Sequence, residues 1–127
     1  MSKINFDIVA LTQALVQCRS ITPHDEGALQ VIEDHLNAIG FKCTPLLFSE
    51  KNTDDVCNLY ATIGSSGKHI AFAGHTDVVP PGNETSWSYP PFSATIADGK
   101  IFGRGTEDMK GNIACFISAT NSFFKKY

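Results

Sequence analysis

The chain has 127 residues, of which 43% are hydrophobic and 18% charged, with a formal net charge of -3. That length holds one domain with a real core and not two. The composition excludes a disordered tail, a collagen-like chain and a coiled coil, and with no Lys/Arg cluster beyond Lys125-Lys126 no nucleic-acid partner is expected.

A helix is predicted over residues 5–18, where Ile8, Leu11, Leu15 and Val16 recur at three- and four-residue spacings. Ser20-Ile21-Thr22-Pro23 breaks it, because Pro23 cannot continue a helical ladder. A second helix is predicted over 24–39 on a stripe of Ala28, Val31, Ile32, His35, Leu36 and Ile39, with Gly40 placed for a left-handed cap. Strands are predicted at 41–48 and 58–63, followed by a turn at Gly64-Ser65-Ser66-Gly67. The apolar run 70–79 reads as a strand buried on both faces. Residues 92–96 and 100–102 read as a hairpin turned by Asp98-Gly99. A last helix is predicted over 108–125, with Met109, Ile113, Phe116, Ile117, Thr120 and Phe124 along one side. This order predicts an α/β domain with a mixed sheet flanked by helices. The helix ends on aromatic residues with no capping signal, which raises the expectation of a further element against them.

No apolar run reaches the ~18 residues of a membrane span. The opening residues lack a secretion signal's apolar core and cleavage site. The expected location is therefore cytoplasmic, with no membrane partner. Cys18, Cys43, Cys57 and Cys115 form no C-x-x-C pair, and free thiols are expected.

Chemistry concentrates between Gly74 and Gly111. In Gly74-His75-Thr76-Asp77-Val78-Val79-Pro80, positions two apart on an extended segment share a face, so His75 and Asp77 project together. A neutral imidazole is a good zinc ligand, and a carboxylate beside it can accept its other N–H and fix the tautomer. A hydrogen-bonded core histidine beside a turn-capping aspartate fits the same two residues. Gly103-Arg104-Gly105-Thr106-Glu107-Asp108-Met109-Lys110-Gly111 likewise has two readings. Thr106, Glu107 and Asp108 all suit a helix start, while the two oxygens of Asp108 could hold two cations close together. Between these segments lies a proline-rich loop, 80–92, with Trp87, Tyr89 and Phe92. It either walls a cleft or packs onto the domain.

Taken together, Gly-His-Thr-Asp-Val-Val-Pro at 74–80, Trp87 with Pro90-Pro91-Phe92, and Asp98-Gly99-Lys100-Ile101-Phe102-Gly103-Arg104-Gly105 leading into Asp108-Met109-Lys110-Gly111 resemble the M20-type zinc-dependent amidohydrolases and peptidases. That family includes succinyl-diaminopimelate desuccinylases, acetylornithine deacetylases and aminoacylases. The Pro80-Pro81-Gly82 loop and the Trp-to-Pro-Pro-Phe segment look closest to the desuccinylase branch. The resemblance implies a zinc-exopeptidase-like catalytic domain. It makes His75 a metal ligand, Asp77 the catalytic carboxylate that orients it, and Asp108 a bridge between two Zn2+ ions, for which Co2+ may substitute. It also implies a cis peptide bond at Asp108–Met109. The reaction implied is hydrolysis of N-succinyl-LL-2,6-diaminopimelate to succinate and LL-2,6-diaminopimelate, in a homodimer. Other acyl specificities, such as acetylornithine deacetylation or peptidase action, and a non-catalytic binding module, are the alternatives. Where relatives carry a small residue before the bridging aspartate this chain has Glu107, read as an exposed acid at a helix start rather than a ligand. The family's Glu-Glu pair, its further carboxylate and distant histidine ligands, and its lid and dimerisation domain have no counterpart here. Residues 1–127 are therefore expected to be an incomplete catalytic domain, about a third of such an enzyme and inactive alone.

Overall fold

Three helices carry the core of the computed structural model, which describes residues 4–127. Helix α1 (Ile8–Gln17) starts at Asp7, whose carboxylate accepts the Ala10 N–H at 2.9 Å, a side-chain N-cap. Its buried face is Leu11, Thr12, Leu15 and Val16. Helix α2 (Ala28–Ile39) ends on Gly40 at φ 109, whose N–H bonds the carbonyls of Leu36 and Asn37, the left-handed cap that a glycine there predicts. It begins later than expected because Glu26 (φ 50) and Gly27 (φ 86) have positive φ angles, which a right-handed helix does not contain. Helix α3 (Gly111–Lys126) likewise begins after a kinked turn, Thr106–Lys110, in which Asp108 (φ -121, ψ 97) and Met109 (φ -136, ψ 26) leave helical geometry. Leu11 and Leu15 of α1, Ile32 and Leu36 of α2, and Ile113, Ala114 and Ile117 of α3 form one buried cluster.

Strands β1 (Lys42–Phe48) and β2 (Val56–Thr62) pair antiparallel from Lys42–Thr62 to Phe48–Val56. Strands β3 (Thr95–Ala97) and β4 (Lys100–Phe102) form a hairpin whose two turn residues, Asp98 (φ 49) and Gly99 (φ 71), both have positive φ, as a type I′ turn requires. A parallel bridge joins Ile21 to Val78. Helices, antiparallel hairpins and this parallel contact make the α/β arrangement expected from the sequence.

The strand predicted at 70–79 departs from expectation. Val78 is buried, but Ile70 is 96% exposed, and no strand among the described residues pairs with 70–77. An extended backbone satisfies its N–H and C=O groups only through a neighbour, so an apolar run does not by itself make a ladder. Phe72 anchors the segment by stacking on Phe116 of α3 at 4.3 Å. No helix among the described residues is long and apolar enough to cross a membrane.

Candidate functional site

Two segments meet at the site. The first carries His75 and Asp77 and is fixed just beyond them by Val78, whose N–H donates to the Ser20 carbonyl at 2.8 Å and whose carbonyl accepts from the Thr22 N–H at 3.1 Å. The second is the turn from Gly103 to Lys110. Gly105 has φ 81, and a Cβ there would lie 2.5 Å from Val78 Cγ1, so only glycine lets this turn press against the first segment. The Lys110 N–H donates to the Gly105 carbonyl at 3.0 Å and closes the turn that presents Asp108. The Asp108–Met109 peptide bond is cis, as the family resemblance implies.

The imidazole of His75 lies between the two aspartates. Its Nδ1 is 3.0 Å from the Asp77 main-chain oxygen and 3.4 Å from Asp77 Oδ1, and its Nε2 is 3.1 Å from Asp108 Oδ1. A carbonyl oxygen only accepts, so Nδ1 carries a proton and donates it to Asp77. Asp77 thus holds the ring through its main-chain carbonyl, with its carboxylate lying beside Nδ1. In the neutral ring the lone pair is then on Nε2, facing a carboxylate oxygen. Two such atoms at 3.1 Å share a proton or a cation. The His75 pKa is raised, first by the Asp77 carbonyl hydrogen bond and then by Asp108, partial burial opposing. The His75 N–H also donates to Met109 Sδ at 3.4 Å.

This donor set fits a metal. A neutral imidazole nitrogen and a carboxylate oxygen are zinc ligands, here they lie 3.1 Å apart, and the Asp108 side chain is 85% exposed, leaving its second oxygen accessible. A zinc centre takes three or four protein ligands. Among the described residues no third His, Cys, Asp or Glu joins the pair, so these residues fit as two ligands of a larger set. Both line a cleft of about 370 Å³, bordered also by Asp77, Arg104 and Glu107. Glu107 is exposed on the rim.

The loop aromatics pack the loop onto the domain. Trp87 Nε1 donates to the Pro81 carbonyl at 3.0 Å, and the Arg104 guanidinium lies 5.1 Å over its ring. Tyr89 packs on Phe102 at 4.9 Å. Arg19 sits 4.6 Å over the Phe92 ring and pairs with Glu84.

Sequence reasoning missed Ser20 and Lys110. Both are fully buried. Lys110 Nζ donates to the Cys18 carbonyl at 2.8 Å, and burial pushes its pKa down to about 8. Lysine is almost never fully buried without a partner, and nothing local distinguishes Lys110 from an exposed helix-start lysine; its burial follows from contacts far away in the chain.

Residues 71–127 match the sequence model of peptidase family M20/M25/M40. The succinyl-diaminopimelate desuccinylase of a Bradyrhizobium species is 51% identical over 121 residues, covering 95% of this chain and 32% of that protein. The enzyme of the same name from Bradyrhizobium diazoefficiens is 55% identical over 113 residues, covering 89% of this chain and 29% of its own length. The one from Methylorubrum extorquens is 50% identical over 119 residues, covering 94% and 31%. The chain therefore spans about a third of the length of the curated relatives it matches. The crystal structure of human carnosine dipeptidase 1 shares the fold, with a TM-score of 0.79 at 24% identity over 95% of this chain and 30% of that one. By its sequence match and the identity of its relatives, the chain is similar to peptidase family M20/M25/M40 and, within it, to proteins named succinyl-diaminopimelate desuccinylase.

Proposed function

We propose that residues 1–127 form part of the catalytic domain of a metal-dependent amide hydrolase that splits N-succinyl-LL-2,6-diaminopimelate into succinate and LL-2,6-diaminopimelate. The convergence of His75 Nε2 and Asp108 Oδ1 at 3.1 Å, with Nδ1 committed to Asp77, carries the reading. His75 and Asp108 are metal ligands, Asp108 having two oxygens with which to serve two ions. Asp77 holds the imidazole in the tautomer that leaves Nε2 free to bind. Bound zinc, or cobalt in its place, supplies Lewis acidity that polarises an amide carbonyl and acidifies water. The names of the relatives support the succinyl substrate. With two donors and no third beside them among the described residues, the chain alone is expected to give no measurable turnover.

The test is a transplant of the 121 matching residues in place of their counterpart in the 51%-identical Bradyrhizobium relative, with succinate release as the readout. The chimera is expected to hydrolyse N-succinyl-LL-2,6-diaminopimelate. Asp77→Ala should cost roughly 10–100-fold in metal affinity or activity, and His75→Ala or Asp108→Ala more. A chimera that is silent on this substrate but cleaves N-acetylornithine would refute the acyl specificity. One that folds yet binds no zinc would refute the ligand roles.

A further inference from the structure

We infer that the corner Cys18–Ser20, at the end of α1, is the positioning element of this site, and that Ser20 and Lys110 are the positioning residues that set His75 against Asp108. This inference rests on the ligand roles proposed above for its significance, but not for its geometry.

The need for such an element follows from how loosely the site segments are otherwise held. His75 and Asp77 lie on a stretch that no strand among the described residues pairs with, and Asp108 is an exposed residue of a turn that leaves helical geometry. The His75–Asp108 contact nevertheless spans 33 positions of sequence. Two buried polar side chains bridge both segments to one place. Ser20 Oγ donates to the Thr76 carbonyl at 2.7 Å, between His75 and Asp77, and the Ser20 carbonyl accepts from the Val78 N–H at 2.8 Å. From the other side, Lys110, two residues beyond Asp108, donates its ammonium to the Cys18 carbonyl at 2.8 Å. That same carbonyl accepts the Ser20 N–H at 2.8 Å. An unbroken run of hydrogen bonds therefore leads from the Asp108 turn, through Cys18 and Ser20, to the peptide that joins His75 to Asp77.

The chemistry of the corner suits the task. Cys18 is the C-cap of α1, where helix carbonyls are unsatisfied and carry partial negative charge. A lysine ammonium there meets a favourable dipole on an element anchored by the core residues Leu11 and Leu15. Filling the same space with an apolar side chain would avoid burying a charge. It would also leave the Asp108 turn without a directional tie to α1.

The full chain tests this by NMR without any metal. The Met109 methyl lies against Gly74, and Met109 Sδ accepts from the His75 N–H, so nuclear Overhauser contacts from that methyl to Gly74 and His75 report the register of the two segments. The imidazole 15N shifts of His75 report whether Nδ1 holds one tautomer. Leu36→Ala, in the core cluster on α2, serves as a control for lost stability. It should lower the urea midpoint and leave both signals in place. Ser20→Ala and Lys110→Met should lose the Met109 contacts and mix the His75 tautomers under conditions where the chain is still folded. If both behave like Leu36→Ala, the corner is only structural and the inference falls. Should Lys110→Met not fold, Ser20→Ala, which removes a single hydroxyl, decides alone. If the signals respond as expected but the transplanted enzyme binds no zinc, the functional reading fails while the positioning role stands.

Discussion

Leu15 on α1 is fully buried, whereas Ile70 on the extended segment is 96% exposed, although both are large apolar residues in strongly hydrophobic stretches. The helices and the extended segments differ in how their backbones are satisfied. A helix closes its own hydrogen bonds, so α1, α2 and α3 need only bury one stripe each and can do so against one another. A strand needs another strand beside it before its side chains can be covered. The site lies at the seam between these two regimes, with Asp108 presented at the foot of a helix and His75 on a stretch without a ladder among the described residues.

The largest expected effect tests whether the helices carry the stability. Leu15 is 0% exposed and sits in the cluster with Ile32, Leu36 and Ile117. Leu15→Ala should cost about 2–5 kcal/mol, the usual range for deleting buried methyl groups and leaving a cavity. Urea unfolding checks this as a lowered midpoint at an unchanged slope. A loss below about 1 kcal/mol would mean that the three-helix cluster is not the main source of stability.

The next effect falls on the seam. Gly105→Ala puts a methyl 2.5 Å from Val78 Cγ1 at a backbone of φ 81. Overpacking costs roughly 1–3 kcal/mol, and the left-handed conformation adds about 1 kcal/mol or more for a residue with a Cβ. Unlike the cavity in the core, this change should also push the Gly103–Lys110 turn away from Val78. The urea midpoint reads the energy, and the contact of the Met109 methyl with Gly74 reads the displacement. A stable variant with that contact intact would show that the close approach of the turn is dispensable.

The same seam divides what sequence reading could reach from what it could not. The apolar stripe of α1, the Gly40 cap and the Asp98-Gly99 turn are local features, set by periodicity and backbone preference, and all three are present. His75, Asp77 and Asp108 were legible as types of residue in a pattern, and the structure brings them together. The buried strand at 70–79 was not a safe inference, because burial on both faces depends on partners elsewhere. The helix starts at 24 and 108 failed for a backbone reason, positive φ at Glu26 in one case and non-helical Asp108 in the other. Ser20 and Lys110 were invisible because their partners lie 56 and 92 residues away. Nor did anything in the sequence mark the cis bond at Thr22–Pro23, since most X–Pro bonds are trans.

The smallest expected effect probes the exposed side of the comparison. Leu47 on β1 is 66% exposed and pairs with Cys57 across the hairpin. Leu47→Thr removes apolar surface that already meets water and substitutes a β-branched residue that suits a strand. The change in stability should stay within about 0.5 kcal/mol in either direction, measured by the same urea midpoint at low protein concentration. The contrast with Leu15 is then several-fold for the same residue type, and burial rather than hydrophobicity accounts for it. A cost of about 2 kcal/mol or more would mean that the face of β1 that carries Leu47 is covered in solution. Repeating the measurement over a range of protein concentrations would then separate two origins: a midpoint that rises with concentration points to a second copy on this face, and a constant one points to packing within the chain.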